Sequence, residues 1–411
     1  MVLALNVHAG YACRRSGACC TAGWPIPVEA DVAARLHADG ALPRAPLDAR
    51  PFLDMRPPLD TRGPAPAGAA GVIAPGPDGA CPFFEREPDR LCAIQRRLGH
   101  DSLPSACRHF PRIALCEADA TRVTLSHFCP TAASMLFRDD IGPIEIVAGA
   151  SGIAGRDDLE GFDARATIPP LLRPGVAMDA ASCRLWERLL LDACNAEHHA
   201  AEDALARIAR GADGIRTWDA RASALAEHSA RIAAGEPGME TGDALASRCS
   251  RRTPGRRQAP RWVMPPAQQA RLFQAAVASV PAGLPRPALP LDLDGASRRW
   301  VQPAWPDVRR PVNRFLAAHA FGAWSAYLGE GLRTQAAALA VALAVLRVEA
   351  ARCAGAAGRA LDAALLHAAI RQSDLLLRHL SSADTLVASL DAVERAAPGD
   401  LAGAMGLEMA A

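Results

Sequence analysis

The chain contains no lysine; all 45 residues counted as Lys+Arg are arginine. No mechanism here can use a lysine base, a Schiff base or the phosphate-binding lysine of a P-loop. Composition bias in an Ala/Arg/Pro-rich chain accounts for the loss, because surface lysine and arginine are often exchangeable. Net charge is also nearly absent: 45 basic residues face 44 acidic ones, giving +1. No global electrostatic reason exists to expect nucleic acid or a membrane surface as partner. Long apolar runs are missing too. The longest, Ala336 to Leu346, falls far short of the roughly 20 residues that cross a bilayer. The opening Met1 to His8 has neither a basic start nor a signal-length apolar run, so export is not supported and a reducing, cytoplasmic setting is expected. A Gly-x-Gly-x-x-Gly after a strand is absent, which argues against an ordinary nucleotide-binding methyltransferase fold. The Cys-x-x-x-Cys-x-x-Cys spacing of radical S-adenosylmethionine chemistry is absent as well.

What the chain does have is cysteine. Eight of the 12 cysteines fall between Cys13 and Cys129. They sit in short phrases: Cys13-Arg-Arg-Ser-Gly-Ala-Cys19-Cys20, Cys81-Pro-Phe-Phe, Cys92-Ala-Ile-Gln, Cys107-Arg-His-Phe-Pro, Cys116 and His127-Phe-Cys129-Pro. A dense thiol field is either a metal site or a disulfide framework. Disulfide scaffolds are usually small secreted domains without a core. A chain of 411 residues, 50% hydrophobic and 22% charged, can bury a large core of its own. Metal binding is therefore the favoured reading. Thiolates at short spacing present several sulfurs to one ion at small loop entropy.

Four regions are expected: a cysteine-cluster domain over 1–137, a helical region over 138–234, a linker over 235–262 and a C-terminal helical domain over 263–411. The fold class expected is mainly α, with an irregular cysteine-rich N-terminal domain carrying a few short strands. In the first region, Val32 and Leu36 place a short helix over Val28 to Ala38, stopped by Gly40. Short strands are expected at Val72-Ile73, Cys81 to Phe84 and Arg90 to Gln95, with Cys81 and Cys92 at facing ends of a hairpin. Cys107 and Cys116 are candidates to close a further loop. Beyond Gly142 the pattern reads as helical. Asp179 is an N-cap, Gly211 ends a run through Leu205 and Ile208, and a second helix covers Trp218 to Ala233. Gly235 to Arg261 has little apolar periodicity and reads as a linker. Helices return at Gln268–Val280, Val312–Leu328, Thr334–Cys353, Arg359–Leu380 and Asp384–Arg395, after or around a proline-rich joint at Pro281–Pro306. The stripe Leu361, Leu365, Ala368, Leu375 and Leu376 is that of a packed helix rather than a cofactor box. No fixed-period repeat is present.

Four thiolates suffice for one zinc or one cubane cluster, and eight could supply two sites. The spacings match neither a zinc ribbon nor the bacterial ferredoxin run. His109 and His127 stand two residues from Cys107 and Cys129, which makes each a candidate ligand or outer donor, although a satisfied, partly buried histidine is the commoner fate. Cys183, Cys194, Cys249 and Cys353 lack neighbouring thiols and read as ordinary buried or incidental cysteines. Glu85, Glu87, Asp89 and Asp101 read as solvated hairpin carboxylates, and Arg108 and Arg112 flank Cys107 as possible partners of thiolate charge.

Taken together, Cys-x-x-Ser-Gly-x-Cys-Cys, Cys-Pro-Phe-Phe, Cys-Ala-Ile-Gln and Cys-Arg-His-Phe-Pro resemble the YkgJ-type cysteine-cluster family of zinc- or iron-chelating domains. Leu125-Ser-His-Phe-Cys129-Pro-Thr-Ala-Ala and the helical remainder, with Trp186, Trp218 and Arg371 to His379, make the longer chain similar to that family's flagellin lysine N-methylase branch. The motif resemblance covers Cys13 to Ala133 and is architectural afterwards. It implies a metal site drawn from Cys13, Cys19, Cys20, Cys81, Cys92, Cys107, Cys116 and Cys129, holding an iron–sulfur cluster or zinc. It also implies S-adenosylmethionine as methyl donor and a protein substrate such as flagellin, that is, a protein-lysine N-methyltransferase. One departure is plain: the family opens Cys-x-x-Cys-Gly-x-Cys-Cys, and Ser16 stands here at the second cysteine. Either that site has one thiolate fewer, or Cys116 or Cys129 completes it. Two other functions fit the same residues: a non-catalytic zinc- or iron-binding interaction module, and a redox sensor whose thiols oxidise and release metal. Neither a catalytic residue nor a cofactor-binding residue is assigned from the sequence.

Overall fold

The computed structural model describes residues 1–24, 26–39, 53–54, 69–86, 90–149, 161–195, 199–234, 262–396 and 400–410. The fold is mainly α, with short strands concentrated in the N-terminal part. The linker expected over 235–262 lies outside the described residues except for Trp262, and Cys249, Glu87 and Asp89 lie outside them too.

One helix, Leu332–Ala357, forms the axis of the helical part. From Ala336 to Leu346 it carries only Ala, Leu and Val and has no polar face, and nearly every side chain from Leu332 to Ala351 is buried. A helix apolar all round must be enclosed by other elements. Here Ala201–Arg216, Pro266–Ala278 and Ala363–Asp374 pack around it. Its alanines keep the crossings close. It ends at Gly358, whose φ of +62° supplies a left-handed cap. The next helix starts at Asp362, which accepts the Leu365 N–H at 2.9 Å.

The N-terminal part holds two small sheets and one cysteine-bearing hairpin. A five-stranded sheet runs in the order Gly161–Asp163, Arg112–Cys116, Thr121–Leu125, Val2–Leu5, Ile146–Ala148. Arg112–Cys116 and Thr121–Leu125 are an antiparallel hairpin, and Val2–Leu5 lies parallel to the latter. Beside it, Ile26–Glu29, Ala69–Ile73 and Leu53–Asp54 form a second sheet. The helix Ala30–Ala38 closes it by burying Val32, Ala33 and Leu36. Phe83, Ile94 and Leu103 complete this small core, and Trp24, Cys81, Cys92 and Cys107 pack against it.

Several elements differ from the sequence expectations for identifiable reasons. Ile26–Glu29 is a strand, so the first helix starts at Ala30. Only Leu91–Cys92 of the Arg90–Gln95 segment is extended, and a helix Ala93–Leu98 follows at once. The stretch after Gly142 is not wholly helical: Ile146–Ala148 and Gly161–Asp163 add strands to the N-terminal sheet, where backbone pairing outweighs local preference. Gly211 does not stop a helix. It lies inside Ala201–Arg216 where the Leu189 side chain presses on it, so the missing Cβ serves helix packing. The following helix begins only at Leu225. Val312–Leu328 is interrupted at Phe321 and Gly322, the latter at φ +63°. The end of Arg359–Leu380 widens into a π turn, Leu375–Leu380, and the proline-rich joint contains another, Ser297–Val301. Among the described residues no helix is long and apolar enough to cross a membrane.

Charges are buried in this core as pairs. Glu202 is 1% exposed and accepts the Arg347 Nε–H at 3.0 Å, while that guanidinium lies 3.8 Å from the centre of the Trp305 ring. Stranding one buried charge costs more than removing both. Glu202→Ala should lose about 3–5 kcal/mol in denaturant unfolding, whereas the double change Glu202→Leu, Arg347→Met should recover most of it. Equal losses in the single and double variants would contradict this pairing.

Candidate functional site

Cys81, Cys92 and Cys107 pack on the small core, and the Cys19-Cys20 turn is tied to Cys81 beside them. Cys19 and Cys20 stand on a 3-10 turn, Cys19–Thr21, closed by Cys20 N–H to Gly17 O at 3.0 Å. The Cys81 N–H donates to Cys20 O at 2.6 Å, which ties the first phrase to the second. Cys92 pairs across the hairpin with Phe84, and Ala93 N–H donates to Phe83 O at 2.7 Å. This is the hairpin that the sequence placed between Cys81 and Cys92. Cys107 enters from the short helix Ser105–His109, whose start is held by Glu29: its carboxylate accepts both the N–H and the hydroxyl of Ser105. Ser16 does not carry a sulfur but contributes to the same turn by accepting the Ala18 N–H at 3.4 Å.

The electrostatics identify these thiols as mutual neighbours. Cys19 and Cys20 sulfurs are 3.9 Å apart. The hydrogen bond with Cys20 lowers the Cys19 pKa to about 7, while the same bond and burial raise that of Cys20. Burial pushes Cys81 up to about 11, with the Cys92 and Cys19 charges adding to it. Cys92 is raised chiefly by burial, and Cys19 adds to that. Cys107 is pushed well above the ordinary thiol range, by burial first and then by Cys81, Cys92, Cys19 and Glu29. Apart from Cys19, these thiols are disfavoured from ionising in a partly dry setting, and a cation among the sulfurs would reverse that balance. All five donors are thiols, the kind that suits zinc or iron–sulfur chemistry. Among the described residues, no three Cys, His, Asp or Glu side chains are drawn together at the spacing of a closed metal shell.

The other three candidate thiols keep different company. Cys13 is exposed, and the Arg15 N–H points to its sulfur at 3.4 Å. Cys116 closes the strand Arg112–Cys116, paired with Thr121 and Asp163, and makes no loop with Cys107. Cys129 is buried in the apolar cluster of the five-stranded sheet, where its sulfur meets the Tyr11 hydroxyl at 3.6 Å. Cys116 and Cys129 both pack with the five-stranded sheet rather than on the small core that holds Cys81, Cys92 and Cys107. Cys183 and Cys194 are isolated in the helix Ala180–Asn195, as expected of incidental cysteines, and Cys353 lies in the axial helix. Glu85 forms a half-exposed ion pair with Arg96 at 2.7 Å, in keeping with a solvated carboxylate. The Arg112 guanidinium lies 5.8 Å from the Tyr11 ring centre.

A second constellation escaped the sequence reading. His127 is not a neighbour of the five thiols; it is sealed in the seam between the five-stranded sheet and the helices. Asp374 Oδ2 accepts its backbone N–H at 2.5 Å and its Nδ1–H at 3.0 Å, and Asp374 Oδ1 accepts the His319 Nε2–H at 2.7 Å. With Nδ1 protonated, His127 Nε2 must accept, so His8 donates to it from Nε2 at 3.1 Å. Burial opposes the Asp374 charge, yet His319, His127 and their hydrogen bonds hold its pKa well below the carboxylate range. Beside this network, Phe128 N–H donates to Ser126 Oγ, whose hydroxyl donates to His379 Nε2 at 2.6 Å. The His379 ring packs on Trp24 at 4.6 Å and on Phe110 at 5.9 Å. Those separations leave no room for a cation between the rings, so the aromatic group is packing rather than a cage. The available signal was Asp374 and Arg378 set among leucines, a charged pair at i,i+4 where an apolar stripe was expected.

Gly17 sets the geometry of the first thiol turn. Its φ is +73°, and a Cβ there would run into the Phe84 ring of the cysteine hairpin. Gly17→Ala should cost about 1–2 kcal/mol for the left-handed backbone plus about 1–3 kcal/mol for the displaced ring, measured by denaturant unfolding. It should also raise the alkylation rate of Cys19 and Cys20. A neutral variant with unchanged thiol reactivity would contradict this packing.

No protein-family model matches the chain, and no solved structure matches it. Over a limited stretch it is similar to the flagellar biosynthetic protein FliU of Salmonella muenchen, 36% identical over 61 residues. That stretch is 15% of this chain and 35% of the flagellar protein, so about a third of the relative's length is spanned.

Proposed function

We propose that this chain is a thiolate metal protein whose ligands come from Cys19, Cys20, Cys81, Cys92 and Cys107, and that it acts on flagellin or a similar protein. The observation that carries the reading is the convergence of five thiols that raise or lower one another's pKa. Burial keeps Cys81, Cys92 and Cys107 protonated, and their thiolates would repel one another unless a cation compensated them. An iron–sulfur cluster there would supply redox or Lewis-acid chemistry, and zinc would supply structural cross-linking. Cys13, Cys116 and Cys129 stand outside this ligand set.

The flagellar link rests on the similarity to the flagellar biosynthetic protein and on the cysteine phrases that resemble flagellin lysine N-methylase. The finer reading is transfer of a methyl group from S-adenosylmethionine to a protein lysine. A redox-sensor reading gains one observation: Cys19, at about 7, is a thiolate-prone sulfur 3.9 Å from a second thiol.

Anaerobic purification with elemental analysis and visible absorption tests the metal reading. Stoichiometric iron with sulfur-to-iron absorption, or stoichiometric zinc in colourless protein, is expected. Cys81→Ala, Cys92→Ala or Cys107→Ala should each lower it at least severalfold, whereas Cys116→Ala should leave it unchanged. Metal-free protein with every thiol open to alkylation would end the proposal. Zinc alone, with no methyl added to lysines of co-expressed flagellin, would leave the binding-module reading in place of the enzyme.

A further inference from the structure

The polar seam around Asp374 joins parts of the chain that are far apart in sequence. His8 comes from the turn Asn6–His8 after the first strand, and His127 from the link between Thr121–Leu125 and the helix Pro130–Met135. His319 comes from Arg309–Ala320, and Asp374 and Arg378 from the end of Ala363–Asp374 and its π turn. His8, His127 and Asp374 are fully buried, and the side chain of His319 is 11% exposed.

The charges in this seam balance only while the histidines are neutral. Asp374 carries the negative charge and Arg378, 3.6 Å away, the positive one. The groups facing His8 are His127, Arg378 and Asp374, and the same Arg378, Asp374 and His127 face His319, whose ring lies 4.4 Å from Phe315. Asp374 already accepts from the His127 N–H, His127 Nδ1 and His319 Nε2. Among the described residues, His8 Nδ1 is buried with no hydrogen-bond partner. A proton placed on it would create a donor with nothing to receive it and add an unbalanced charge to a dry interior.

We propose that this seam is an acid-opened latch: below neutral pH, a proton taken up at His8 or His319 separates the Val2–Leu5 and Thr121–Leu125 strands from the helix ending at Asp374. The opening loosens Ser126 to Cys129, which Asp374, Ser126–His379 and the Arg371 Nε–H bond to Phe128 O hold in place. The axial helix is apolar from Ala336 to Leu346 and is tied at both flanks to the helix Ala201–Arg216, outside the seam, through Arg333 and Arg347, so it stays folded. The sign follows from the burial. His8 and His319 are both held below the ordinary histidine range by desolvation, the latter at about 4. The opened form therefore binds more protons than the closed one below pH 6.5, and closure weakens as pH falls from there toward 4.

Hydrogen–deuterium exchange of the full chain, corrected for intrinsic rates, at about pH 7.5 and about pH 5.5 reads the latch. The opening constant for peptides covering 120–135 and 363–380 should rise roughly tenfold per histidine that titrates, while peptides covering 336–350 should keep their protection. His319→Gln retains an N–H for Asp374 but takes up no proton, so it should remove about tenfold of that rise. Uniform loss of protection over the whole chain would overturn the proposal, as would an unchanged rise in His319→Gln. If that variant does not fold, imidazole C2–H exchange in the wild type decides: titration of His8 and His319 near the ordinary value of about 6.5 would overturn it, and titration well below supports it.

Discussion

One buried carboxylate, Asp374, binds the irregular, cysteine-bearing half of the chain to the helical half. It accepts from a backbone N–H and from two imidazoles, and those donors come from the sheet side and the helical side of the same seam. A buried carboxylate is tolerable only when its lone pairs are filled and its charge is answered. Here hydrogen bonds fill them and Arg378 answers the charge. Because His127 is held by both its main chain and its ring, the segment from Ser126 to Cys129 has little freedom. That in turn fixes Phe128 against Trp24, four residues beyond the Cys19-Cys20 turn.

The thiol patch follows a different logic. Its scaffold is a small apolar core, Ile26, Val28, Val32, Leu36, Ile73, Phe83, Ile94 and Leu103, that fixes the backbone around four cysteine phrases. Main-chain bonds such as Cys81 N–H to Cys20 O then bring the phrases together. The scaffold buries the sulfurs within one another's field, and burial first, with that field added, keeps Cys81, Cys92 and Cys107 protonated. A cation would convert a mutually repelling array into a bound one, which is why the same residues look like a liability without it and a site with it.

Much of this was legible in the sequence because it is local. The Cys81 to Cys92 hairpin, the helix carrying Val32 and Leu36, and the apolar helices about Leu343 and Leu366 follow from spacing alone. Which of the eight thiols pack on the small core and which on the five-stranded sheet was not legible. Whether Cys107 or Cys116 faces Cys92 is decided by which strand Arg112–Cys116 pairs with, and Thr121 and Asp163 take its far end. Gly211 misled for a related reason: a glycine reads as a stop until a neighbouring helix, through Leu189, needs its missing side chain. The histidine seam was hidden because its members lie 119 and 247 residues apart along the chain. Only the charged pair Asp374 and Arg378 among leucines gave a local sign of it.

The central claim is that five thiols, and not eight, form one metal-binding set. Cadmium-113 NMR of protein reconstituted with cadmium in place of its own metal tests it most directly, since the shift reports how many sulfurs surround the ion. The account predicts a resonance in the all-sulfur range that is lost or moved by Cys81→Ser and Cys92→Ser and untouched by Cys116→Ser and Cys129→Ser. A resonance in the oxygen and nitrogen range, or one that moves with Cys116→Ser or Cys129→Ser, would contradict it.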